Sequence, residues 1–287
     1  MKINRKIVIF ILISIIVISL FHRLPKVSEG FIADIISEDV KEFDEFKKNS
    51  KLVAKKRSKY QDIEIYNEGN FGKCLYLDGE KQLCENEEHL YHETIVHVAG
   101  AYLKKIENVL IIGGGDCMTL REVMKYNTIK NVTMLEIDKD VINLSKKHFG
   151  VNDYSNDPRV KILIGDASKT IEKMKNNYDL IIIDTTELNE LNSPIDSIDF
   201  MKKCKNILKK NGILVKNGNN LENYITLNQI FNYSKLIHFE TQVWGKVQYY
   251  KFLLSSNEVN FNTAKRYNHK LNLKHYNFKN HTSFYDN

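Results

Sequence analysis

Cysteine, proline and tryptophan are scarce in this sequence, and its cysteines are not grouped. The 287 residues include four cysteines, three prolines and one tryptophan. No CxxC pair occurs, and no cysteines and histidines have the spacing of zinc ligands, so we predict no metal site. No segment repeats along the chain, which argues against a repeat architecture. With 43% hydrophobic and 27% charged residues, the composition is that of a globular protein.

A basic run interleaved with aromatic residues is also missing. The formal net charge is +6, and the segment from Lys47 to Lys59 is rich in lysine. Without aromatic side chains between those lysines, the pattern favours a solvated charged segment over a surface for nucleic acid or lipid. We therefore predict that the protein binds no nucleic acid.

The N-terminal segment lacks charge along most of its length. Residues 7–21 are apolar except for Ser14 and Ser19, and basic residues flank them. A helix over this run would span about 22 Å, less than the roughly 30 Å of a bilayer core, so a signal peptide is an alternative. Because no A-x-A-like cleavage site follows, we predict an uncleaved single-pass membrane anchor over residues 1–28.

The hydrophobic pattern divides the rest of the chain into three parts. Residues 29–57 are polar with helical spacing, which predicts a helical linker. Over residues 58–104, a period of two with the turn pair Asp78-Gly79 predicts a small antiparallel β-hairpin domain and a connecting helix. Residues 105–287 alternate strand and helix patterns, which predicts a Rossmann-like, doubly wound and mostly parallel sheet of methyltransferase type.

One stretch organises this predicted sheet. Four apolar residues, Val109–Ile112, lead into the glycines of Gly113–Gly115 and then into Asp116. A buried strand, a glycine turn and a helix form the first unit of a nucleotide-binding sheet, where glycines let the backbone approach a ligand. Glu136 ends the next apolar strand, where an acidic residue would hold a ribose diol. The pattern predicts an adenosine-type ligand.

Carboxylates end four successive strand patterns, at Asp116, Glu136, Asp166 and Asp184. Ligands of open α/β sheets lie outside the carboxyl ends of the strands, so we expect these side chains to share a crevice. Helix capping explains any one of them, but four in succession favour a function. Their charge suits a cationic ligand, and the lack of lysine or arginine at these turns argues against a dinucleotide pyrophosphate.

The motifs along the chain resemble those of the polyamine aminopropyltransferases, of which spermidine synthase is the type. They match in order over about residues 56–285 and do not include the N-terminal segment. By composition alone the tail from Asn257 would look dispensable, but its end also resembles the family. The matching segments are Ser58–Ile63, Leu77–Gln82, Tyr91–Glu93, Gly113–Asp116 with Leu120–Val123, Glu136–Asp138, Gly165–Ala167, and Leu273–Asn277 with His281.

The resemblance implies that an aminopropyl group moves from decarboxylated S-adenosylmethionine to an amine, which leaves methylthioadenosine. Carried over by position, Glu136 would hold the ribose hydroxyls of the donor and Asp166 its adenine amine. Asp116 would anchor the cationic aminopropyl amine. The other donor-binding residues implied are Gln61, Gln82, Gly113 and Ala167.

For a putrescine-like acceptor, the resemblance implies that Asp184 acts together with Tyr91. A primary ammonium has a pKa of about 10, roughly three units above pH 7. Forming its nucleophilic, neutral amine at pH 7 therefore costs about 4 kcal/mol. Asp184 would accept the proton as the nitrogen attacks. His92, Asp116 and Glu187 would also contact the amine. A homodimer and no metal are implied as well.

The chain departs from the family in the amine half of the site. Cys117 and Met118 stand where the family has two small residues, usually glycines, so we expect their side chains to occupy the space of the backbone's approach to the ligand. Glu187 replaces an aspartate, one methylene longer. The segment Thr241–Lys246 replaces a substrate-tyrosine motif, and Trp244 is either an aromatic wall or a core residue.

Two alternatives to an aminopropyltransferase stay open. One is an S-adenosylmethionine-dependent methyltransferase, although the charge of Asp116 would repel the intact carboxylate of that donor. The other is a catalytically impaired homologue that binds a nucleoside, which the altered amine half suggests. The side of the membrane on which the catalytic domain lies is open too. The basic residues before the apolar run favour translocation of this domain, whereas the implied donor favours an intracellular position.

Overall fold

The computed structural model describes residues 50–175, 177–186, 193–218, 221–243 and 246–285. Leu52–Asn287 form one compact unit. Among the described residues, no helix is both long enough and apolar enough to cross a bilayer. The predicted anchor and most of the predicted linker lie outside the described residues, so both stay predictions, as do the domain boundaries.

A four-stranded N-terminal sheet has the order β1-β2-β3-β4. The Asp78-Gly79 turn joins its last two strands with positive φ at both residues, as a tight hairpin requires, which confirms the predicted hairpin. The pairs β2–β3 and β3–β4 are antiparallel. The strands are β1 Lys51–Arg57, β2 Asp62–Asn67, β3 Lys73–Leu77 and β4 Glu80–Cys84.

The prediction of helix was wrong for the end of the linker, since residues 51–57 form β1. The helical spacing came from apolar residues further upstream, whereas Leu52 and Val53 belong to a mostly exposed edge strand. Pairing with a neighbouring strand decides the structure here, and local propensity does not.

A disulfide that the sequence did not indicate joins β3 to β4. The hairpin register places Cys74 opposite Cys84, with their Cα atoms 4.0 Å apart. The other two cysteines, Cys117 and Cys204, are buried free thiols.

The second sheet has seven strands in the order β7-β6-β5-β8-β9-β11-β10. Strands β5 to β9 pair in parallel, while β10 and β11 form an antiparallel hairpin that adds to β9. This confirms the predicted doubly wound, mostly parallel sheet. The strands are β5 Asn108–Gly113, β6 Asn131–Glu136, β7 Val160–Ile164, β8 Tyr178–Asp184, β9 Leu208–Asn217, β10 Tyr233–Val243 and β11 Lys246–Ser256.

The apolar run of β5 is buried because hydrophobic layers cover both faces of the sheet. Val109 and Ile111 belong to one layer, and Leu110 and Ile112 to the other. Side chains of a strand point alternately to its two faces, so a continuous apolar run is what a doubly covered parallel strand requires.

Six α-helices are described. Five of them alternate with the strands of the second sheet, as the pattern of residues 105–287 predicts. Asp138 and Asp166 each accept a backbone N–H at the start of the helix that follows, so both act as N-caps. The helices are α1 Glu88–Glu93, α2 Met118–Met124, α3 Lys139–His148, α4 Ala167–Thr170, α5 Ile198–Ile207 and α6 Leu221–Ile230.

The C-terminal tail packs on the core, although its composition alone gave it no role. The carboxylate of Glu93, on α1, accepts the backbone N–H groups of Lys274, His275 and Tyr276 at 2.7–2.9 Å. His281 is fully buried and lies between two tyrosine hydroxyls. The tail is therefore part of the fold that supports α1.

Candidate active site

A cavity of about 330 Å³ opens at the carboxyl ends of the central strands. The strand order reverses between β5 and β8, and ligands of such sheets bind at this reversal. Gly113 pairs with Asp184 across the two strands. Gly113 has a φ of +82°, and a Cβ added there would lie 2.1 Å from the carbonyl oxygen of Asp184. Only glycine fits this turn.

The structure brings nearly all of the predicted site residues together. The four strand-end carboxylates, which the sequence places far apart, line this one cavity. Glu187 lies outside the described residues, and the roles of individual residues stay predictions. The predicted residues that line the cavity are Gln61, Gln82, Tyr91, His92, Gly113, Asp116, Glu136, Asp166, Ala167 and Asp184.

Glu136 and Asp166 belong to the part of the cavity that is predicted to bind the nucleoside, called the nucleoside half below. Glu136, at the end of β6, is a buried carboxyl. Its Oε1 accepts the backbone N–H of Asp138 at 2.7 Å. Burial raises the pKa of Glu136 to about 7, with the charges of Asp138 and Asp116 acting in the same direction. In the absence of a ligand this side chain is therefore partly protonated at neutral pH.

Asp138 holds the N-terminal sheet against the nucleoside half, a role that sequence reasoning did not assign. Its Oδ2 accepts the hydroxyl of Ser58 at 2.6 Å and the side-chain amide of Gln61 at 3.1 Å. Its other oxygen caps α3. One carboxylate thus fixes the position of Gln61 over the cavity.

Asp166 is the more exposed carboxylate at the edge of the cavity. Its Oδ1 accepts the backbone N–H and the hydroxyl of Ser168, and its Oδ2 lies 3.1 Å from the ammonium of Lys169. Burial alone would raise the pKa of Asp166, but these two partners lower it. The group is ionised at neutral pH and is able to accept a hydrogen bond.

Asp184 is held by two hydroxyl donors. Tyr91 donates to its Oδ1 at 3.0 Å, and Thr119 donates to its Oδ2 at 2.6 Å. Burial raises the pKa of Asp184, and the nearby charge of Asp116 raises it further. Burial and Asp184 also raise the pKa of Tyr91 well above its usual value, so Tyr91 remains a donor. Nothing in the sequence distinguishes Thr119 from other helix residues.

Asp116 stands beside a histidine. It accepts the backbone N–H of Met118 at 2.7 Å, and its Oδ1 lies 3.5 Å from Nε2 of His92. Burial disfavours its charged form, yet His92 outweighs burial and lowers the pKa of Asp116. Asp116 and Asp184 are the two carboxyls of the predicted amine half. The pKa of Asp116 is thus lowered and that of Asp184 is raised.

The altered residues after Asp116 do not obstruct the cavity. Cys117 and Met118 are buried in the hydrophobic core and do not line the cavity, so the expectation that they occupy the ligand's space is wrong. Cys117 adopts the left-handed region with a φ of +65°. Its side chain is buried, and burial raises the pKa of the thiol to about 12.

An aromatic side chain from β11 contributes to the wall of the predicted amine half. Tyr250 lines the cavity, and its ring lies edge-on to that of Tyr91 with centroids 6.1 Å apart. The ring of Phe252 also lies edge-on to that of Tyr91, with centroids 4.9 Å apart. Trp244, considered for an aromatic wall, lies outside the described residues.

Two clusters of the described residues bring three ligand-type atoms together, but their donor atoms are engaged. One comprises Glu68 with Cys74 and Cys84, and these two cysteines form the disulfide. The other comprises His92, Asp116 and Asp184, in which both nitrogens of His92 face oxygen acceptors.

Together, the methyltransferase-like sheet and the acidic cavity at its strand reversal are the fold and the site of a transferase. The spermine/spermidine synthase domain model matches residues 88–262, and the spermidine synthase tetramerisation domain model matches residues 48–85. The chain belongs to the spermine/spermidine synthase family, which confirms the resemblance.

Similar proteins include polyamine aminopropyltransferases from bacteria. One from Prochlorococcus marinus strain MIT 9215 is 33% identical over 248 residues, which cover 81% of this chain and 88% of that protein. One from Buchnera aphidicola of Schizaphis graminum is 41% identical over 171 residues. That match spans 58% of this chain and 60% of the relative's length.

Two solved structures share the fold and 25% sequence identity. A spermidine synthase in complex with the transition-state analogue AdoDATO gives a TM-score of 0.75 over 82% of this chain and 85% of that chain. Spermidine synthase from Thermotoga maritima gives a TM-score of 0.74 over 82% of this chain and 84% of that chain.

Proposed function

We propose that this enzyme transfers the aminopropyl group of decarboxylated S-adenosylmethionine to a putrescine-like diamine. The products would be a spermidine-like polyamine and methylthioadenosine. The observation that carries the proposal is that one cavity is lined by Glu136 and Asp166, from the ends of β6 and β7, and by Asp116 and Asp184, from the ends of the neighbouring strands β5 and β8. A nucleoside that bears a cationic chain matches this arrangement of charge.

The reaction forms one C–N bond and breaks one C–S bond. The amine nitrogen attacks the aminopropyl carbon attached to the sulfonium, and the electron pair of the broken bond stays on sulfur. Sulfur thereby becomes the neutral thioether of methylthioadenosine, and the attacking nitrogen must lose a proton. We assign that proton to Asp184, whose raised pKa makes it a better acceptor than an ordinary aspartate.

The two carboxyls of the amine half would divide two conflicting tasks. A carboxylate that binds an ammonium also favours its protonated form, which is not nucleophilic. Asp116, held ionised beside His92, suits the binding of a permanent cation. Asp184, fixed by Tyr91 and Thr119, suits proton transfer. Holding donor and acceptor in line would supply much of the rate acceleration.

The test is turnover by the full chain. We expect methylthioadenosine to be released from decarboxylated S-adenosylmethionine when a diamine is present, and Asp184→Asn to lower kcat by about 10²–10⁴-fold. Replacing the donor by intact S-adenosylmethionine should give no transfer, because Asp116 opposes its carboxylate. Absence of methylthioadenosine with every diamine would contradict the proposal, and methyl transfer would support the methyltransferase alternative.

We further propose a homo-oligomer, predicted from the sequence as a dimer. The match of residues 48–85 to a tetramerisation domain supports self-association through the N-terminal sheet. Light scattering would distinguish two from four copies of the 33.5 kDa chain. A mass of a single chain at micromolar concentration would contradict self-association.

We also propose that residues 7–21 anchor the chain to a membrane. The apolar run between basic residues is its support. Protease protection on sealed membranes would show the side of the catalytic domain. Release of the full-length chain by a carbonate wash would contradict the anchor.

A further inference from the structure

His92 has both ring nitrogens directed at hydrogen-bond acceptors. Its Nδ1 lies 2.7 Å from the backbone carbonyl oxygen of Glu88 and 2.9 Å from Oε2 of the same residue. Its Nε2 lies 3.5 Å from Oδ1 of Asp116. Nδ1 faces only oxygen acceptors and therefore carries a hydrogen, and Nε2 lies within ion-pair distance of a second carboxylate, so the position of the ring between Glu88 and Asp116 favours its protonated, cationic form.

Glu88 is the buried counter-charge behind this cation. Its side chain is 6% exposed, and Nη2 of Arg121 donates to its Oε2 at 2.7 Å. Burial alone would raise the pKa of Glu88, but His92 and then Arg121 outweigh burial and lower it to about 2. Glu88 does not line the cavity. Its contact with the site is therefore through His92, while its charge acts on Asp116 as a smaller, opposing effect.

The cation changes the relation between the two carboxyls of the amine half. Ligand-type atoms of His92, Asp116 and Asp184 all lie within 4.8 Å of one another. Two carboxylates this close compete for a single proton, and without a third group neither has a fixed role. A cation beside Asp116 removes that equivalence, since it stabilises the ionised form of Asp116 more than that of Asp184.

We propose that Glu88 is a positioning residue: it holds His92 as a cation turned toward Asp116, so that Asp116 binds the substrate ammonium while Asp184 accepts the proton. This deepens the proposed function and rests on it. The lowered pKa of Asp116 and the raised pKa of Asp184 agree with the assignment.

The groups that face His92 come from three elements. Glu88 and Tyr91 lie on α1, Asp116 lies in the turn after β5, and Asp184 ends β8. The last three line the cavity, so their substitution would alter substrate contacts directly. Glu88 is the member of the set whose charge can be removed without changing the cavity wall.

Glu88→Gln is the test variant. The backbone carbonyl of residue 88 still orients the ring, and the amide oxygen can still accept from Nδ1, so the variant removes charge more than geometry. We expect the pKa of His92, followed by ¹⁵N-edited NMR of the substrate-free full chain, to fall from well above its ordinary value to below it, because burial then opposes the charge without the counter-charge of Glu88. Where the ring has become neutral, Asp116 and Asp184 lose a nearby cation, so the acidic limb of the kcat/KM profile for the diamine should move to higher pH.

Glu122→Gln is the matched control. Glu122 is also buried and contacts Arg121 at 2.9 Å, but it contacts His97 and not His92. This variant should leave the His92 titration and the acidic limb in place. Methylthioadenosine affinity should be unchanged in both variants, which would show that the nucleoside half is intact.

The wild-type titration makes the proposal testable even if Glu88→Gln does not fold. A His92 ring that loses its proton near its ordinary value of about 6.5 would overturn the proposal. So would a folded Glu88→Gln protein with an unmoved acidic limb. Because the NMR titration needs no turnover, a protein that lacks transferase activity but keeps a cationic His92 would refute the proposed function and leave the buried charge pair established.

Discussion

Tyr91 donates its hydroxyl hydrogen to Asp184 at 3.0 Å, and this contact ties α1 to the carboxyl end of β8. The residues lie far apart in the chain, and the ring of Tyr91 is wedged among aromatic side chains of β10 and β11. Packing therefore sets the position of the hydroxyl, and the hydroxyl in turn sets the orientation of the proposed proton acceptor.

Tyr91→Phe should lower kcat more than stability. The variant keeps the ring packing and removes one hydrogen bond to a buried carboxylate, which is worth about 1.5 kcal/mol, or about tenfold in kcat. Steady-state kinetics and thermal unfolding measure the two effects. Tyr102→Phe is the control, since its hydroxyl bonds the carbonyl of Phe261 and the hydroxyl of Tyr285 away from the cavity. An unchanged kcat in Tyr91→Phe would contradict the role of the hydroxyl.

Glu136→Gln should stabilise the ligand-free protein at high pH and weaken nucleoside binding. Folding raises the pKa of Glu136 from 4.5 to about 7. The contribution of its neutral side chain to the free energy of unfolding is therefore complete below pH 4.5 and is lost as the pH rises to 7. The shift corresponds to roughly 3 kcal/mol as an upper limit. Urea unfolding should show equal stability of variant and wild type at pH 4.5 and a more stable variant at pH 8. A less stable variant at pH 8 would reverse the sign and refute the assignment.

Glu93→Gln should release the tail. The variant leaves one acceptor for the three backbone N–H groups of Lys274, His275 and Tyr276, and we expect a loss of about 2 kcal/mol. Hydrogen exchange of residues 273–285 should quicken before global unfolding. Glu258→Gln, a half-exposed residue 3.6 Å from Lys210, should leave this exchange unchanged. Protection equal to that of wild type in Glu93→Gln would show that other contacts hold the tail.

Thiol counting should separate the two classes of cysteine. Cys117 and Cys204 are buried, so a native, unreduced sample should show no rapidly reacting thiol. Denaturant should expose two thiols, and denaturant with reductant four, because Cys74 and Cys84 form a disulfide. Rapid alkylation of Cys117 in the native protein would contradict its burial.

The parts of the fold that could be predicted from the sequence are those in which a short segment determines its own structure. The apolar run of β5 with its glycine turn, and the Asp78-Gly79 hairpin, each combine a hydrophobic period with a turn that only certain residues allow. The convergence of the four carboxylates followed from one rule about where parallel strands end. The family resemblance supplied the remaining site residues, and all of the described ones line the cavity.

What the sequence did not reveal depends on pairing between distant segments. β1 forms because a partner strand is beside it, and Cys74 meets Cys84 because of the hairpin register. Thr119 reaches Asp184 only through the packing of α2 on the sheet. No local period encodes such contacts, since each requires the position of a second element to be known first.

The left-handed backbone at Cys117 also affects how relatives of this enzyme are recognised. A non-glycine residue in this conformation costs about 1–2 kcal/mol, which burial of a small sulfur-bearing side chain can offset. The loop's path, rather than glycine itself, is then what selection must preserve here. A search pattern that insists on glycine after the aspartate would discard proteins in which the predicted site residues still line one cavity.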